Sequence, residues 1–400
     1  MDEEIVSCSY FPGEPVFLQG EKIPEYFKVV SGRFAKVKSE KKVNSASIKK
    51  MLAEAELIGI VSHQELFGEI EALMGQPQPF SVFALDESSV FSIPAENQTE
   101  MQDVFCQNPS IGVKTCVSFA SFLSQFFSYF SSVAHEETDM DKFTRSTARD
   151  YLALVNEIET TLKSVKNRSI IEFARSHKAF QIACEITEKN VSGPACTSVN
   201  CGVVRVASKE VALQSFKAGS LLCRRGEIGD RLYIVTEGTA EVIIGGNTPN
   251  ITIDAPGSII GEIAVFLNIG SASPDQRRTA DVVCTTDLTA VVVHLNQVED
   301  FFAKQPELMT KMLLAMVSRT DSTRKICADA EKRLRDLLYK RLGILLEAIN
   351  NLGHALSAEK DNVLFERPLV FCSQRSRDIY NRFKQALTII NRPFGSIKPE

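Results

Sequence analysis

Two oppositely charged residues frame one apolar segment of the sequence, GEIAVFLNIGSASPDQRRTADV at 261–282. Glu262 follows a glycine at its start, and Arg278 lies sixteen residues later, with Asp275 the one acidic residue between them. A carboxylate accepts hydrogen bonds, whereas a guanidinium donates a two-pronged set and keeps its charge. No nucleophile-and-base signature, HExxH motif, P-loop or paired His/Asp metal pattern accompanies them. The sequence therefore favours a binding site over a catalytic or metal site.

The segment belongs to a pattern that occurs twice in the chain. The first copy reads PGEPVFLQGE, YFKVVSGRFAKV and LFGEIEALMG; the second reads AGSLLCRRGE, LYIVTEGTAEVII and IIGEIAVFLN. Both copies consist of short alternating runs separated by glycine and proline, which is typical of antiparallel β-strands. The equivalent glycines are Gly13 and Gly219, Gly20 and Gly226, Gly32 and Gly238, and Gly68 and Gly261. This agreement predicts an internal duplication.

The second copy, from about Val203 to Arg319, resembles the cyclic nucleotide-binding domain of protein kinase A regulatory subunits, catabolite activator proteins and cyclic-nucleotide-gated channels. The glycines, the GEIA motif and the RRTADV motif occur in the family's order. The resemblance implies an eight-stranded β-roll flanked by helices, with a short helix that holds the phosphate of cAMP or cGMP. The expected ligand is a cyclic mononucleotide, and no cofactor or metal is implied.

The resemblance also implies a role for individual residues. Arg278 would bind the cyclic phosphate, and Glu262 would accept a hydrogen bond from the ribose 2′-hydroxyl. The remaining site residues implied by the motif are Gly261, Ile263, Ala264, Thr279 and Ala280. Gly261 would let the backbone approach the ligand and would open a helix whose N–H groups face the phosphate. Thr279 could bond a guanine amino group, and it could equally be an ordinary strand residue.

The helix after the second copy, from Pro306 onward, is expected to cover the base. Met316 and Arg319 are the candidates for this lid, although a Met and Leu stripe at helical spacing is also typical of simple core packing.

Two departures from the family pattern set limits on the resemblance. The family usually holds the glutamate and the arginine about nine residues apart, so the sequence predicts a long loop at Asn268 to Gln276. In the first copy the spacing is normal, but Gln78 replaces the phosphate arginine. We expect a domain that kept the β-roll and lost the nucleotide.

The predicted fold class is α+β: two antiparallel β-rolls, a helical connector between them and a helical C-terminal extension. The domain limits are a first roll at 1–107, a connector and linker at 108–202, a second roll with its lid helix at 203–319, and the extension at 320–400. Residues 353–373 look irregular, with a last basic helix from about Arg375 to Ile390. A stripe of Leu334, Leu338, Leu342, Leu345, Ile349 and Leu352 could pack on the protein or pair with a second chain.

Composition also bears on the cellular compartment of the protein and on its contact with a membrane. The 400 residues carry a net charge of −5, and the ten cysteines form no CxxC pair. The acidic start MDEEIVSCSY does not read as a signal peptide, so we expect reduced thiols and a cytoplasmic protein. Residues 115–134 are twenty residues without a charge, but their phenylalanines fall on one helical face. This spacing favours an amphipathic helix over a membrane span.

These observations predict a non-catalytic, intracellular sensor that relays cyclic nucleotide binding to a protein partner or homodimer through its C-terminal helices. A transcription regulator of the catabolite activator type is an alternative, but residues 353–400 are short for a winged helix-turn-helix, so nucleic acid is not the expected partner. A kinase regulatory subunit would need an inhibitory segment before the first roll, and we find none. A scaffold in which neither roll binds a nucleotide is the remaining alternative.

Overall fold

The computed structural model of the chain describes residues 7–39, 55–162, 169–188, 197–198, 213–243, 251–253, 257–269, 275–358 and 363–391. Its residues fall into two compact units. The first unit comprises Met1–Ser124, Thr197–Ile243 and Asn250–Ser322, and the second comprises Gln125–Cys196, Ile244–Pro249 and Thr323–Glu400. The domain limits predicted from the sequence, at residues 107, 202 and 319, stay a prediction.

In the described residues, eight short strands form the first β domain, here called the N-terminal roll. They are β1 (Ser7–Tyr10), β2 (Pro15–Phe17), β3 (Glu25–Ser31), β4 (Phe34–Lys38), β5 (Glu56–Val61), β6 (Leu66–Phe67), β7 (Ser81–Ala84) and β8 (Ser88–Pro94). They pair antiparallel in two four-stranded sheets, ordered β1-β8-β3-β6 and β2-β7-β4-β5. The core is rich in phenylalanine, with Phe17, Phe27, Phe34 and Phe67 all buried.

The second β domain, here called the C-terminal roll, repeats this plan. Its strands, with the linker strand β9 that precedes them, are β9 (Thr197–Ser198), β10 (Leu213–Phe216), β11 (Leu221–Cys223), β12 (Arg231–Glu237), β13 (Ala240–Ile243), β14 (Ile251–Ile253), β15 (Ile259–Ile260), β16 (Asp281–Cys284) and β17 (Leu288–His294). The sheets are ordered β10-β17-β12-β15 and β11-β16-β13-β14-β9, with β9 parallel to β14.

The duplication predicted from the sequence is confirmed down to irregularities in the strand pairing. The β3–β8 register shifts between Val29 and Ser31, and the β12–β17 register shifts at the equivalent place, between Val235 and Glu237. A bulge bends a strand and increases its twist. The two rolls therefore share their curvature as well as their strand order.

Helices follow each roll. Those of the first half of the chain are α1 (Glu69–Leu73), α2 (Gln98–Gln107), α3 (Pro109–Leu162), α4 (Ser169–Ser176) and α5 (Lys178–Glu188). The last three occupy the region predicted as a helical connector. In α3 the residues at 115–134 are amphipathic as predicted: Phe119, Leu123, Phe126, Phe130 and Val133 are buried, whereas Ser128 and Ser132 are exposed. Among the described residues, no helix combines the length and the apolar character that crossing a membrane requires.

The second half contains α6 (Glu262–Asn268), α7 (Val298–Lys304), α8 (Pro306–Asp336), α9 (Gly343–Ser357) and α10 (Glu366–Ile390), with a π-helical segment at Leu337–Leu342 and 3₁₀ turns at Leu295–Gln297 and Val363–Phe365. The last helix begins at Glu366, nine residues before the predicted start. Pro368 lies in its first turn, where a missing backbone N–H leaves no helical hydrogen bond unmade.

The leucine stripe at 334–352 is buried within the chain, because α9 packs against α10, α4 and α5. Of the two interpretations left open by the sequence, the structure supports packing on the protein itself. A partner that binds the C-terminal helices would have to use another face.

Candidate functional site

Arg278 lies three residues before β16 and is held by a short antiparallel pairing with the segment that precedes β12. Its backbone N–H donates to the carbonyl of Glu227 at 2.8 Å, and its carbonyl accepts from the N–H of Gly226 at 3.0 Å. The first roll has the same pair of bonds around Gln78, with Glu21 and Gly20 as partners, both at 2.8 Å. Gln78 and Arg278 therefore occupy equivalent positions, as the sequence alignment of the two copies predicted.

The guanidinium of Arg278 is buried, with 7% of the residue exposed. Nη1 donates to the carbonyl of Gly261 and Nη2 to the carbonyl of Arg231, both at 2.5 Å. Among the described residues, the carboxylate within ion-pair distance is that of Asp230, with Oδ1 3.9 Å from Nη2. Asp230 is itself bound by the guanidinium of Arg231, which lowers the pKa of the Asp230 carboxyl. The close partners of Arg278 are thus neutral, and its charge is poorly compensated.

Gly261 brings the start of α6 against this guanidinium. Its φ of +81° is in the left-handed region, which an L side chain rarely adopts. A Cβ at this position would overlap Nη1 of Arg278 and would lie 3.3 Å from the Sγ of Cys223. As the N-cap of α6, Gly261 offers no side chain to the first-turn N–H groups, so these stay available to a ligand.

The side chain of Glu262 is bound by a residue of α8. The residue is 2% exposed, and its Oε1 forms an ion pair with Nη1 of Arg319 on α8. Nη2 of Arg319 donates to the carbonyl of Ile259 at 3.0 Å. The structure thereby brings together two residues that the sequence had assigned to different parts of the site, one to the ribose and one to the lid.

The other predicted residues differ in their exposure. Thr279 is exposed and has no hydrogen-bond partner within the described part of the chain, whereas Ala280 is buried. Ile263 is half-buried, and Ala264 is buried where Gly229 approaches it so closely that a Cβ on Gly229 would collide with it. Met316 is buried within the packing of α8.

Cys223 and Tyr233, which the motif did not identify, lie close enough to Arg278 for its charge to act on their side chains. Burial raises the pKa of the Cys223 thiol to about 11, although the nearby Arg278 opposes the shift. Burial also raises the pKa of the Tyr233 hydroxyl. Their signal in the sequence is the comparison of the two copies, because the positions equivalent to Cys223 and Tyr233 are Phe17 and Phe27 in the first roll.

The long loop predicted at Asn268 to Gln276 is described at its two ends, and residues 270–274 lie outside the described residues. Its ends are joined directly, because the backbone N–H of Gln276 donates to Oδ1 of Asn268 at 2.9 Å. The extra length therefore does not separate Arg278 from Gly261.

The first roll closes the equivalent place with its own side chains. Gln78 is 1% exposed, and its Nε2 donates to the carbonyl of Gly68 at 3.1 Å, in the manner of Arg278 and Gly261. Its Oε1 is buried without a hydrogen-bond partner. A Cβ on Gly68 would lie 3.3 Å from Phe17 and 3.4 Å from Ile23, so apolar side chains stand at the start of the short helix, where the second roll has the Arg278 guanidinium and Cys223.

Further aromatic rings pack around Phe17 in the first roll. The ring centroid of Phe17 lies 6.0 Å from that of Phe67 and 6.1 Å from that of Phe80, and the Phe27 and Phe67 rings stack at 5.3 Å. The equivalent of Phe80 in the second roll is Ala280, which has no ring to place there. In the described residues, no group of three or more His, Cys, Asp or Glu side chains is arranged to hold a metal ion.

Comparison with known proteins agrees with this architecture. The family model of the cyclic nucleotide-binding domain matches residues 8–103 and 213–305, which cover the two rolls. The chicken (Gallus gallus) rod photoreceptor cyclic nucleotide-gated channel subunit alpha is 27% identical over 126 residues, which is 31% of this chain and 19% of the channel subunit. The CRP-like cAMP-activated global transcriptional regulator of Mycobacterium tuberculosis is 27% identical over 136 residues, 33% of this chain and 57% of the regulator. The chain thus spans less than two thirds of either relative.

A solved structure, cAMP-bound PfPKA-R, aligns with 87% of this chain and 80% of its own at 15% identity and a TM-score of 0.25. The chain carries two cyclic nucleotide-binding domains in tandem, with the long helix α3 between them and a helical region after the second.

Proposed function

We propose that the C-terminal roll binds one cyclic mononucleotide, cAMP or cGMP, and that the protein is a non-catalytic cytoplasmic sensor. The observation that carries this proposal is the buried Arg278 guanidinium, whose close partners are two neutral carbonyls. Burying a charge costs free energy unless an opposite charge compensates it. An anionic ligand in front of Gly261 would provide that compensation.

The phosphate would lie between Arg278 and the first turn of α6. Arg278 is already held by Gly261 and Arg231, so its position costs little ordering on binding. The backbone N–H groups of Ile263 and Ala264, in the first turn of α6, would donate to the phosphate oxygens. Because the helix is short, the guanidinium would supply most of the charge compensation.

The ribose would lie against Glu262. A carboxylate has two oxygens, and Oε1 of Glu262 is bound by Arg319. The second oxygen can accept a hydrogen bond from the 2′-hydroxyl while the ion pair persists. Ribose binding and the position of α8 would then depend on the same carboxylate.

The base would lie near Thr279, which is exposed beside Arg278. Its hydroxyl can accept a hydrogen bond from the exocyclic amino group of guanine. We expect Thr279→Ala to weaken cGMP binding and to leave cAMP binding unchanged. Equal effects on both nucleotides would remove Thr279 from base recognition.

The N-terminal roll would be silent. Gln78 carries no charge for a phosphate, and Phe17 and Phe80 lie where the second roll has Cys223 and Ala280. A nucleotide would have to displace packed aromatic rings to enter. We therefore expect one binding site per chain.

The signal would leave the site along α8. Arg319 joins this helix to Glu262, and further along α8 Glu331 accepts a hydrogen bond from the Tyr129 hydroxyl of α3 at 2.6 Å. Arg333 adds two bonds to Glu137, at 2.7 and 3.1 Å. A change in α8 would alter these contacts and, through them, a surface for a protein partner or a second copy on the C-terminal helices.

The test compares two adjacent arginines. Calorimetric titration of cAMP and cGMP into wild type, Arg278→Ala and Arg277→Ala uses Arg277 as the matched control, since it is exposed and bonds only the carbonyl of Gly226 among the described residues. We expect binding to be lost in Arg278→Ala and kept in Arg277→Ala. No binding to wild type would refute the proposal and favour the alternative in which the protein is a scaffold and neither roll binds a nucleotide.

A further inference from the structure

The insertion between Glu262 and Arg278 creates a geometric problem that the first roll does not have. Glu262 and Arg278 are sixteen residues apart, whereas Glu69 and Gln78 are nine apart. Each pair must still end with the second residue against the glycine that opens the short helix. A longer loop has more conformations, so closing it costs more entropy and fixes its ends less well.

In the first roll a main-chain hydrogen bond connects the returning chain to the short helix. Gln76 lies two residues before Gln78, and its N–H donates to the carbonyl of Glu71 in α1 at 2.8 Å. The helix and the returning strand are thus joined by a main-chain hydrogen bond, which requires the short spacing.

In the second roll a side chain makes the equivalent connection. Gln276 lies two residues before Arg278; its N–H donates to Oδ1 of Asn268 at 2.9 Å, and its carbonyl accepts from Nδ2 of Asn268 at 3.0 Å. Asn268 is the last residue of α6 and is 2% exposed. Its amide therefore pairs with the backbone of Gln276 in both directions, as a neighbouring strand would.

The same amide reaches a third segment. Nδ2 of Asn268 also donates to the carbonyl of Gly229 at 3.1 Å, while the N–H of Gly229 donates to the carbonyl of Gln276 at 3.0 Å. One buried side chain thus joins α6, the segment before β12 and the segment that leads to Arg278. These three segments adjoin Gly261, the carbonyl of Arg231 and the guanidinium of Arg278, respectively.

We propose that Asn268 is the positioning residue for Arg278. Its amide replaces the main-chain hydrogen bond that Gln76 makes in the first roll, and it holds the Arg278 guanidinium in place despite the insertion. The inference rests on the proposed function for its binding consequence, but its structural part stands apart from it. Asparagine suits the position because one planar amide both donates to two carbonyls and accepts from an N–H. A carboxylate of the same size cannot donate to either carbonyl.

The test uses three variants of Asn268 and one control in the full-length chain. Asn268→Ala removes the amide, Asn268→Asp keeps its shape without the donors, and Asn268→Ser keeps one smaller donor and acceptor. Gln276→Ala is the matched control, because Asn268 binds the backbone of Gln276, and the Gln276 side chain bonds the exposed Asp275. Thermal melting monitored by circular dichroism checks that each variant folds.

Two measurements then report on Arg278. The first is the affinity for cAMP and cGMP by calorimetry. The second is the Arg278 guanidinium signal in an NMR spectrum of protein labelled with ¹⁵N-arginine, assigned by its loss in Arg278→Lys. Hydrogen bonds to two carbonyls slow the exchange of these protons, so the signal reports their integrity without any ligand.

We expect Asn268→Ala to bind about tenfold more weakly than wild type, from the loss of buried hydrogen bonds. Asn268→Asp should be weaker still, Asn268→Ser intermediate and Gln276→Ala unchanged. The Arg278 signal should broaden in the first two variants and persist in the control. Wild-type affinity and an intact signal in a folded Asn268→Ala would overturn the inference.

The two proposals fail differently. If wild type binds neither nucleotide, the proposed function is refuted, while the NMR signal still decides whether Asn268 positions Arg278. If Asn268→Ala does not fold, the Arg278 signal in Asn268→Ser is compared with that in Gln276→Ala instead. An Arg278 signal that is unchanged in Asn268→Ser would then refute the positioning role.

Discussion

The ion pair between Glu262 and Arg319 joins α6 to α8, and its removal gives the sharpest prediction about stability. Glu262 is 2% exposed, so Arg319→Met would leave a buried carboxylate without its cation. Breaking a buried ion pair by removing one partner costs about 3–5 kcal/mol. Because the Arg319 side chain keeps 15% exposure, we expect the lower end, about 3 kcal/mol.

The double variant separates this effect from a simple loss of packing. Glu262→Gln alone should cost about 1–2 kcal/mol, because Arg319 loses its anionic partner but keeps an amide oxygen as acceptor and can turn towards solvent. The double variant Glu262→Gln/Arg319→Met has no unpaired charge. It should therefore be more stable than the two separate losses predict, by about 2 kcal/mol.

Differential scanning calorimetry of the full chain measures these changes, and Glu262 and Arg319 both belong to the first compact unit, which includes both rolls. For a unit of about 150–250 residues, 1 kcal/mol shifts the melting temperature by about 2–4 °C. Arg319→Met should thus lower the transition of this unit by about 6–12 °C. Additive single and double variants, or a shift below about 2 °C, would refute the argument that this ion pair joins α8 to α6.

Three further predictions concern single positions. Gly261→Ala should abolish nucleotide binding. Gly68 has the same φ of +81°, so Gly68→Ala should destabilise the fold by a similar backbone strain, about 1–2 kcal/mol, without affecting binding. Equal binding in both variants would contradict the close approach at Gly261. The Cys223 thiol, with its pKa raised to about 11, should react with iodoacetamide at pH 8 about a hundredfold more slowly than an ordinary thiol, and an ordinary rate would contradict its burial. Burial raises the pKa of Glu136, so its protonated form favours folding and stability is lost as the pH rises through that pKa; Glu136→Gln should therefore melt higher than wild type at pH 7.5, with a difference that shrinks towards pH 4.5.

The sequence predicted the two rolls and the position of Arg278 because both depend on local patterns. Glycines at fixed intervals, alternating strands and the GEI motif are visible without knowledge of the third dimension. The helical character of the connector was predicted as well. The start of α10 was placed nine residues too late, because residues 353–373 were predicted to be irregular, whereas the helix begins at Glu366 and tolerates Pro368 in its first turn.

The ion pair at the site could not be predicted, because it depends on the packing of a distant helix. Arg319 lies fifty-seven residues after Glu262, and its partner is decided by how α8 crosses the roll. The filling of the first roll by Phe17 and Phe80 likewise requires the strands to be paired before the rings are seen to meet. Long-range side-chain contacts of this kind have no period in the sequence.

Asn268 is an intermediate case. Its residue type is visible in GEIAVFLN, but its function becomes apparent only beside Gln76 of the first roll, where a backbone bond makes the equivalent connection. The internal duplicate thus serves as a control within the molecule for the effect of the insertion.

The measurement that tests the central claim most directly is the stoichiometry of cAMP and cGMP binding to the full-length chain by isothermal titration calorimetry. The account predicts one site per chain for at least one of the two nucleotides, because Arg278 offers a buried guanidinium and Gln78 offers none. Two sites per chain would contradict the closure of the first roll by its aromatic side chains. No binding of either nucleotide would contradict the assignment of Arg278 as the phosphate ligand.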